Sequence, residues 1–346
     1  MNLLIWAGFF AIFIGVLALD LGVLHRESKA MDVRQALGWT GVWIFVALSF
    51  TALIYGVYEY HWFGWRLAPD APSGSQAAIE YVTGYLLEWS LSVDNIFVIA
   101  VIFTFMRIPP QYQYRVLFWG IVGAIVLRGA MIAMGAALIH AFDWTFYLFG
   151  AILLISAARM LRSDEEQFDP SKSVLVRLAR RVYPVTDRLD GERFFTTVNG
   201  ARAATPLFVT LLLVDFADVV FAVDSIPAIF AVTQEPFIVF TSNAFAILGL
   251  RSLYFAIAGL MMMFKYIKLS LIFILGFVGV KMMLHHHLDI PHAISLGVIV
   301  GFLAIGIVAS LWSTRRERLE QQTSMAPATQ PKTNDASGPQ SRHEPH

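Results

Sequence analysis

The chain has 346 residues, of which 57% are hydrophobic and only 14% are charged, and its mean hydropathy is +0.64. A soluble domain carries about 25% charged residues, so this composition predicts a polytopic membrane protein. The formal net charge is zero, which argues against nucleic-acid binding, and the absence of cysteine excludes disulfides, thiolate metal ligands and thiol redox chemistry carried by this chain.

Nine apolar runs are long enough to cross a bilayer, which takes about 20 residues. The first run has no basic residue before it and no cleavage pattern after it, so we expect a retained span and not a secretory signal. We therefore predict an all-α polytopic membrane protein with about nine transmembrane helices. The predicted spans are residues 3–24, 39–58, 78–106, 116–139, 144–161, 205–231, 238–263, 267–288 and 292–312.

Lysine and arginine residues concentrate in alternate loops, and the opposite loops hold only Arg66. Because basic loops stay in the cytoplasm, we expect the amino terminus outside and the carboxyl terminus inside a bacterial inner membrane. The long inner loop, residues 162–204, is expected to be a linker with a short amphipathic helix on the lipid headgroups, with docking of a cytoplasmic partner as the alternative. The tail, residues 319–346, has a composition typical of disorder.

Two acidic stretches interrupt apolar runs at positions where burying a carboxylate is costly. They are E-W-S-L-S-V-D-N at residues 88–95 and D-F-A-D-V-V-F-A-V-D-S-I-P at residues 215–227. Each contains two acids six residues apart, and in each the second acid precedes a small polar residue and an isoleucine. This match suggests a repeat.

The match continues downstream of both stretches. L-R-G at residues 127–129 is echoed by L-R-S at 250–252, and A-A-R-M-L at 157–161 by G-V-K-M-M at 279–283. Three spans per unit is an odd number, so the two units must have opposite orientations, as in the inverted repeats of secondary transporters. A coincidental echo is the alternative. The predicted segments are 1–77 (two helices), 78–161 (first unit), 162–204 (loop), 205–288 (second unit), 289–318 (final helix) and 319–346 (tail).

The charges of these stretches predict a cation site. Five intramembrane acids would cost roughly 2.5–3.5 kcal/mol each if ionised and unpaired, about 15 kcal/mol in total. Arg128 and Arg251 lie at similar depth and are expected to pair with two of the acids. The excess of acids must then be neutralised by protons, by a cation, or by both; a structural salt-bridge network is the alternative. The candidate metal-binding residues are Glu88, Asp94, Asn95, Asp215, Asp218, Asp224 and Ser225.

Helical geometry separates these acids, since Asp215 and Asp224 would lie on opposite faces of a continuous helix at 100° per residue. We therefore expect unwound turns at residues 94–95 and 224–225, the second weakened by Pro227. A site made only of oxygen ligands suits Mn²⁺, Ca²⁺ or Mg²⁺.

Other polar residues have both a functional and a structural interpretation. Asp20 lies near the inner end of the first span and either lines an inner entrance or reaches the headgroups, and Lys281 either belongs to the site or snorkels. Glu80 is expected at the outer interface. Three consecutive histidines, residues 285–287, together with His292 suggest metal release, although consecutive helical positions point in different directions.

The two acidic stretches, extended to E-W-S-L-S-V-D-N-I-F-V-I and D-F-A-D-V-V-F-A-V-D-S-I-P-A-I-F, and the amino-terminal A-L-D-L-G-V-L-H-R resemble the TerC family of bacterial integral membrane proteins, including its Alx-like branch. The resemblance extends over about residues 3–312 and leaves out the tail. It implies a role in metal-ion homeostasis, above all manganese export. Tellurium resistance and membrane-bound redox modulation are also associated with the family, but the lack of cysteine counts against a thiol-based redox role.

These observations lead to the expectation of a divalent-cation exporter, with Mn²⁺ as transported substrate, no resident cofactor and no catalytic residue. Alternating access would move the ion, and exchange for protons would follow from the proton affinity of buried carboxylates. The alternative is a non-transporting redox or stress modulator acting through the cytoplasmic loop, or a membrane protein associated with tellurium resistance. A membrane enzyme has the least support, because paired carboxylates alone specify no reaction.

Overall fold

The computed structural model describes residues 3–22, 32–64, 72–162, 185–186, 188–198, 200–258, 267–284, 287 and 290–324. Helices make up most of this part of the chain, and two short strands form a hairpin. The helices are α1 (Leu3–Gly22), α2 (Val33–Glu59), α3 (Gly74–Phe105), α4 (Pro110–Ala141), α5 (Thr145–Arg162), α6 (Pro206–Phe230), α7 (Pro236–Leu248), α8 (Leu250–Ala258), α9 (Ile267–Met283) and α10 (His292–Ser324); the strands are β1 (Phe195–Val198) and β2 (Ala201–Ala204).

Six helices in the described part of the chain, α2 to α6 and α10, are long and apolar enough to cross a membrane. Helices α7 and α8 form a seventh candidate span if they are counted as one bent helix, with an angle of 43° between them. In helix α1, the stretch Leu3–Leu19 is apolar but shorter than these candidate spans. The prediction of a helical, multi-pass membrane protein is therefore confirmed, whereas the count of nine spans stays a prediction.

Local sequence signals explain where several helices begin. Pro110, Pro206 and Pro236 stand at the first turn of α4, α6 and α7, where the missing N–H costs nothing. Helix α3 begins after Ser73, whose side chain accepts a hydrogen bond of 3.3 Å from the backbone N–H of Gln76. The helix starts are thus encoded locally, even though the interior of each helix is almost uniformly apolar.

Four helices form the centre of the molecule. Helix α3 packs against α6 and α7, and α4 packs against α6 and α7 in turn. Helix α2 covers α3 and α8, α1 lies on α7, and α10 lies along α9 and α3. The polar and charged side chains described below lie inside this four-helix centre.

Helices α5 and α9 cross closely because glycines face each other. A Cβ on Gly150 would lie 3.1 Å from the carbonyl oxygen of Gly279 and 2.9 Å from Met283 Cγ. A Cβ on Gly279 would lie 3.2 Å from the Gly150 carbonyl oxygen and 3.0 Å from Leu154 Cγ. Small residues that let two backbones approach are the usual way to pack helices in lipid, where apolar surface alone gives little driving force.

The acidic helices are continuous, so the unwound turns predicted at residues 94–95 and 224–225 are wrong. Helix α3 runs unbroken from Gly74 to Phe105, and α6 from Pro206 to Phe230. Pro227 lies in the last turn of α6, where losing one backbone hydrogen bond ends the helix instead of splitting it. The break in the described chain falls between α7 and α8 instead, at Gly249.

The inner loop and the tail also differ from expectation. Strands β1 and β2 pair antiparallel from Phe195↔Ala204 to Val198↔Ala201, with Gly200 at φ +82° in the tight turn. The amphipathic helix expected earlier in the loop falls within residues 163–184, outside the described residues.

Helix α10 continues to Ser324, so residues 319–324 are helical and not disordered, because the run R-R-E-R-L-E-Q-Q consists of good helix formers. Residues 325–346 lie outside the described part.

Candidate functional site: a buried charge network

Arg128 on α4 is the centre of the site. It is 1% exposed, yet it lies in the middle of an apolar helix. Its guanidinium donates two parallel hydrogen bonds to Asp218 on α6, from Nε to Oδ2 at 2.9 Å and from Nη2 to Oδ1 at 2.6 Å. Its Nη1 donates to Glu88 Oε1 on α3. One guanidinium therefore holds two carboxylates from two other helices, a geometry that only arginine offers.

Polar neighbours complete the hydrogen bonds of this network. Asn243 on α7 donates from Nδ2 to Glu88 Oε2 at 3.0 Å, and its Oδ1 lies 3.3 Å from Arg128 Nη1. The Ser225 hydroxyl lies 3.4 Å from the same nitrogen. Glu88, Asn243 and Ser225 are each at most 1% exposed. The network thus joins α3, α4, α6 and α7 in the apolar interior, where each polar group needs a partner.

Asp215 lies one helical turn from Asp218 and faces the same neighbour, α4. Its carboxylate lies against the α4 backbone at Gly123, where a Cβ would come within 2.8 Å of Oδ1 and 2.9 Å of Oδ2. Among the described residues, the buried Oδ1 atom has no hydrogen-bond partner. Asp215 and Asp218 also repel each other. A carboxylate oxygen buried without a donor requires a proton, a water molecule or a cation.

Two further unpaired polar atoms lie on the Glu88 face of α3. Ser92 and Asn95 follow Glu88 by four and seven residues, which places all three on one face of the helix. Ser92 Oγ and Asn95 Nδ2 are buried and lack a hydrogen-bond partner within the described residues. Other buried hydroxyls of α3 are satisfied differently, since Thr83 donates to the Ile79 carbonyl at 2.6 Å. Ser92 and Asn95 therefore offer unused hydrogen-bonding groups beside the network.

The last acid of each stretch, Asp94 or Asp224, lies outside the network. Asp224 accepts a hydrogen bond of 2.6 Å from Ser156 on α5 and is attracted by Arg159 on the same helix. Asp94 is attracted by Lys268 at the start of α9. Both acids are partly buried. Helical geometry correctly separates Asp215 from Asp224: the first faces α4 and the second faces α5.

The structure places the remaining predicted site residues elsewhere. Arg251 is 2% exposed and lies over the ring of Tyr114, 4.6 Å from its centroid. Lys281 donates to Ser295 on α10 at 2.9 Å, at the end of the molecule where α3 begins. The side chain of Asp20 and the histidines at 285 and 286 lie outside the described residues.

The site residues do not form a chelate in this conformation. In the part of the chain that the structure describes, no three histidine or acidic side chains are grouped so that they could hold a metal ion. Arg128 fills the space between Glu88 and Asp218, whereas Asp224 accepts from Ser156 on α5 and Asp94 is attracted by Lys268 on α9. A proton or cation near Asp215 would compete with the Arg128 guanidinium for the carboxylates, so one positive charge could replace another in this arrangement.

Two contributors were missed in the sequence. Asn243 follows Thr241 and Ser242 in an apolar run, so its polar triplet could have been detected by the same criterion as the acids. Gly123 carries no signal beyond being a glycine, because its importance depends on which helix faces it. These features together define a polytopic helical membrane protein with a charged network buried between its helices.

The chain belongs to the TerC family of integral membrane proteins, whose description matches residues 73–318. An uncharacterized membrane protein of Myxococcus xanthus, STKORF319, is 48% identical over 311 residues, which cover 90% of this chain and 93% of the relative. Alx proteins, which carry the provisional name membrane-bound redox modulator, are 43% identical in Salmonella typhi over 312 residues and in Escherichia coli K12 over 314 residues. These alignments cover 89% and 90% of this chain and 94% and 96% of the relatives. No solved structure matches the chain.

Proposed function

We propose that the chain exports a divalent cation, with Mn²⁺ as the substrate, through the carboxylates buried between α3, α4 and α6. The observation that carries the proposal is the state of Asp215: its Oδ1 is buried, has no hydrogen-bond donor among the described residues, and lies beside the Glu88–Arg128–Asp218 network. A buried carboxylate in that position favours the binding of a positive charge.

Charge balance supports a cation more than a closed structural network. Glu88 and Asp218 share a single guanidinium, and Asp215 adds a third carboxylate close by. If all three acids are ionised, the group carries two unbalanced negative charges, which a divalent cation neutralises. Binding would require Arg128 to release one of its two carboxylates, so cation entry and rearrangement of the network would be coupled.

The helix packing supports the inverted repeat. In the proposed repeat, α3 corresponds to α6, α4 to α7–α8, and α5 to α9. The contact between α3 and α7 then corresponds to the contact between α6 and α4, and both are present. The α3–α6 and α5–α9 contacts then pair corresponding helices with each other. These pairs are what a two-fold relation produces, and Glu88 and Asp218 become equivalent carboxylates bound to the same arginine. The proposal therefore keeps nine spans, with α1, α8 and α9 counted as parts of membrane-crossing segments.

Orientation and ion identity complete the proposal. The basic loops favour an orientation with the amino terminus outside and the carboxyl terminus in the cytoplasm of a bacterial inner membrane. The absence of cysteine removes thiolate ligands, and the proposed metal-binding residues offer only oxygen and nitrogen atoms, which suit Mn²⁺ better than a soft metal ion. The resemblance to the TerC family implies a role in metal-ion homeostasis, and metal transport agrees with that role.

Purified protein in liposomes tests the proposal. The wild type is expected to move Mn²⁺ across the membrane, and a panel with Ca²⁺, Mg²⁺ and Zn²⁺ defines its selectivity. Asp94→Asn and Asp224→Asn each remove one of the predicted metal-binding carboxylates that lie outside the network, and both are expected to abolish the flux. Undiminished Mn²⁺ flux in both variants would disprove the proposed role of these residues.

A second candidate function comes from the name that the Alx relatives carry. A redox modulator without cysteine would have to act through a partner, and the inner loop at residues 162–204 is the segment available for docking. In that case, deleting part of residues 164–190 would abolish the cellular effect while the aspartate substitutions would leave it intact. The opposite pattern supports transport.

A further inference from the structure

A second buried acid, Glu80, lies on α3 nearer to its amino-terminal end, outside the network that the proposed function uses. It is 3% exposed, although the sequence predicted an interfacial position. Its Oε2 accepts a hydrogen bond of 2.5 Å from Thr233 in the segment between α6 and α7. Its Oε1 accepts one of 2.9 Å from Gln76 Nε2. Burying a carboxylate is costly even with such partners, which makes Glu80 a candidate for a function.

Glu80 is connected to the surface through His292. The Nε2 atom of His292, the first residue of α10, lies 3.5 Å from Glu80 Oε1, and the imidazole is 34% exposed. The same nitrogen lies 3.5 Å from Gln76 Nε2. His292 Nδ1 is buried and has no hydrogen-bond partner among the described residues. A partly exposed imidazole beside a buried carboxylate can carry a proton on either ring nitrogen, so it is suited to pass protons between water and that carboxylate.

Polar side chains of α7 lie between Glu80 and the central network. Glu80, Gly84 and Glu88 are spaced four residues apart and lie on one face of α3, so the two acids are about 12 Å apart along the helix axis. At Gly84, the Ser242 hydroxyl of α7 occupies the space that a side chain would take, since a Cβ there would be 2.9 Å from Ser242 Oγ. The next residue of α7, Asn243, donates to Glu88.

The charges around Glu80 favour a proton over a metal ion. The facing groups are His292 on α10, Lys281 on α9, and the segment between α6 and α7, where the backbone N–H of Glu235 donates to Thr233 Oγ1 at 3.2 Å. Lys281 interacts electrostatically with Glu80 and donates to Ser295. A positive charge on Lys281 repels a divalent cation, whereas a proton can move between His292 and Glu80 without displacing Lys281.

We infer that Glu80 and His292 transfer protons between the water outside the membrane and the Glu88–Asp218 network, so that protons are the counter-ions of cation export. This inference rests on the proposed function and on the proposed orientation. A proton from outer water binds His292, passes to Glu80, and reaches the Glu88–Asp218 network as the cation leaves it. Each proton that enters replaces one positive charge of the departing ion.

Proteoliposomes that report Mn²⁺ flux and internal pH together test the inference. The wild type is expected to move protons against Mn²⁺, and Glu80→Gln is expected to lose the proton counterflow for each Mn²⁺ ion that moves. Glu59→Gln is the matched control, because Glu59 is an exposed acid near the same end of the molecule and, within the described part of the chain, accepts a hydrogen bond from the Gly74 N–H at 3.0 Å. It should keep the wild-type ratio of protons to Mn²⁺.

The ratio of protons to Mn²⁺ ions distinguishes a role of Glu80 in proton coupling from a purely structural role. If Glu80 only stabilised the fold, Glu80→Gln would lower both fluxes in proportion and leave their ratio unchanged, which would overturn the inference. If Glu80→Gln fails to fold, His292→Gln tests the same route: the ratio should fall, and a wild-type ratio would overturn the inference. Wild-type Mn²⁺ flux without proton counterflow would overturn it too and leave the proposed function intact. Absence of wild-type Mn²⁺ flux would contradict both.

Discussion

Arg128 holds Asp218 through two parallel hydrogen bonds of 2.9 and 2.6 Å while its third nitrogen binds Glu88. Because the two acids belong to corresponding helices of the proposed repeat, this one arginine ties the two units together at the centre of the molecule. The contact would hold the conformation seen here in place and would have to loosen when a cation binds. Under the proposed function, stability and transport would therefore depend on the same side chains.

Removing the guanidinium should destabilise the fold strongly. Arg128→Met leaves Glu88 and Asp218 buried without their counter-charge, and breaking a buried ion pair on one side costs about 3–5 kcal/mol. Thermal unfolding of the detergent-solubilised protein would show a large drop in midpoint. Arg115→Met is the control: Arg115 pairs with Glu192 at 3.4 Å, both side chains are well exposed, and the expected loss is at most ~1 kcal/mol. Equal losses in the two variants would refute the network's importance.

Gly123 should be required for the position of Asp215. Gly123→Ala puts a methyl group within 2.8 Å of the Asp215 carboxylate, which must move away from α4. We expect the variant to fold but to lose Mn²⁺ flux in liposomes. Gly41→Ala is the matched control, since among the described residues no atom outside its own stretch of helix lies within 4 Å of a Cβ there. Wild-type flux in Gly123→Ala would mean that the position of Asp215 is unimportant.

The close crossing of α5 and α9 predicts a difference between two glycines on α9. Gly279→Leu must push α9 away from Leu154 and the Gly150 carbonyl oxygen, and overpacking of this kind costs about 1–3 kcal/mol. Gly276→Leu meets nothing within 4 Å of its Cβ and should change stability by less than about 1 kcal/mol. Denaturation in mild detergent compares the two variants; a larger loss for Gly276→Leu would contradict the observed packing.

Much of this arrangement could be predicted because burying charge in lipid is so costly. Glu88, Asp218 and Arg128 stand out in apolar runs, and the structure brings them together with Ser225. Helical periodicity alone also predicts that Asp215 and Asp224 face different neighbours. These inferences need only composition and the 3.6-residue period.

Other features depend on tertiary contacts that no periodicity encodes. Asn243 and Gly123 matter because α7 and α4 happen to face the acids, and Glu80 is buried because Thr233 and α10 cover it. The position of Pro227 in α6 looked like a break but falls in the last turn, so its effect depends on where the helix ends. The hairpin in the inner loop was missed although Asn-Gly at residues 199–200 is a strong turn signal.

Mn²⁺ flux through liposomes with the Asp215→Asn variant tests the central claim most directly. The substitution keeps the size and helical position of the side chain but removes the charge that lies unpaired beside the network. Asp32→Asn is the control, since Asp32 is exposed before α2 and its side chain makes no capping hydrogen bond. We predict Mn²⁺ flux in the wild type and in Asp32→Asn and none in Asp215→Asn. Equal flux in all three proteins, or none in the wild type, would contradict a cation pathway through these carboxylates.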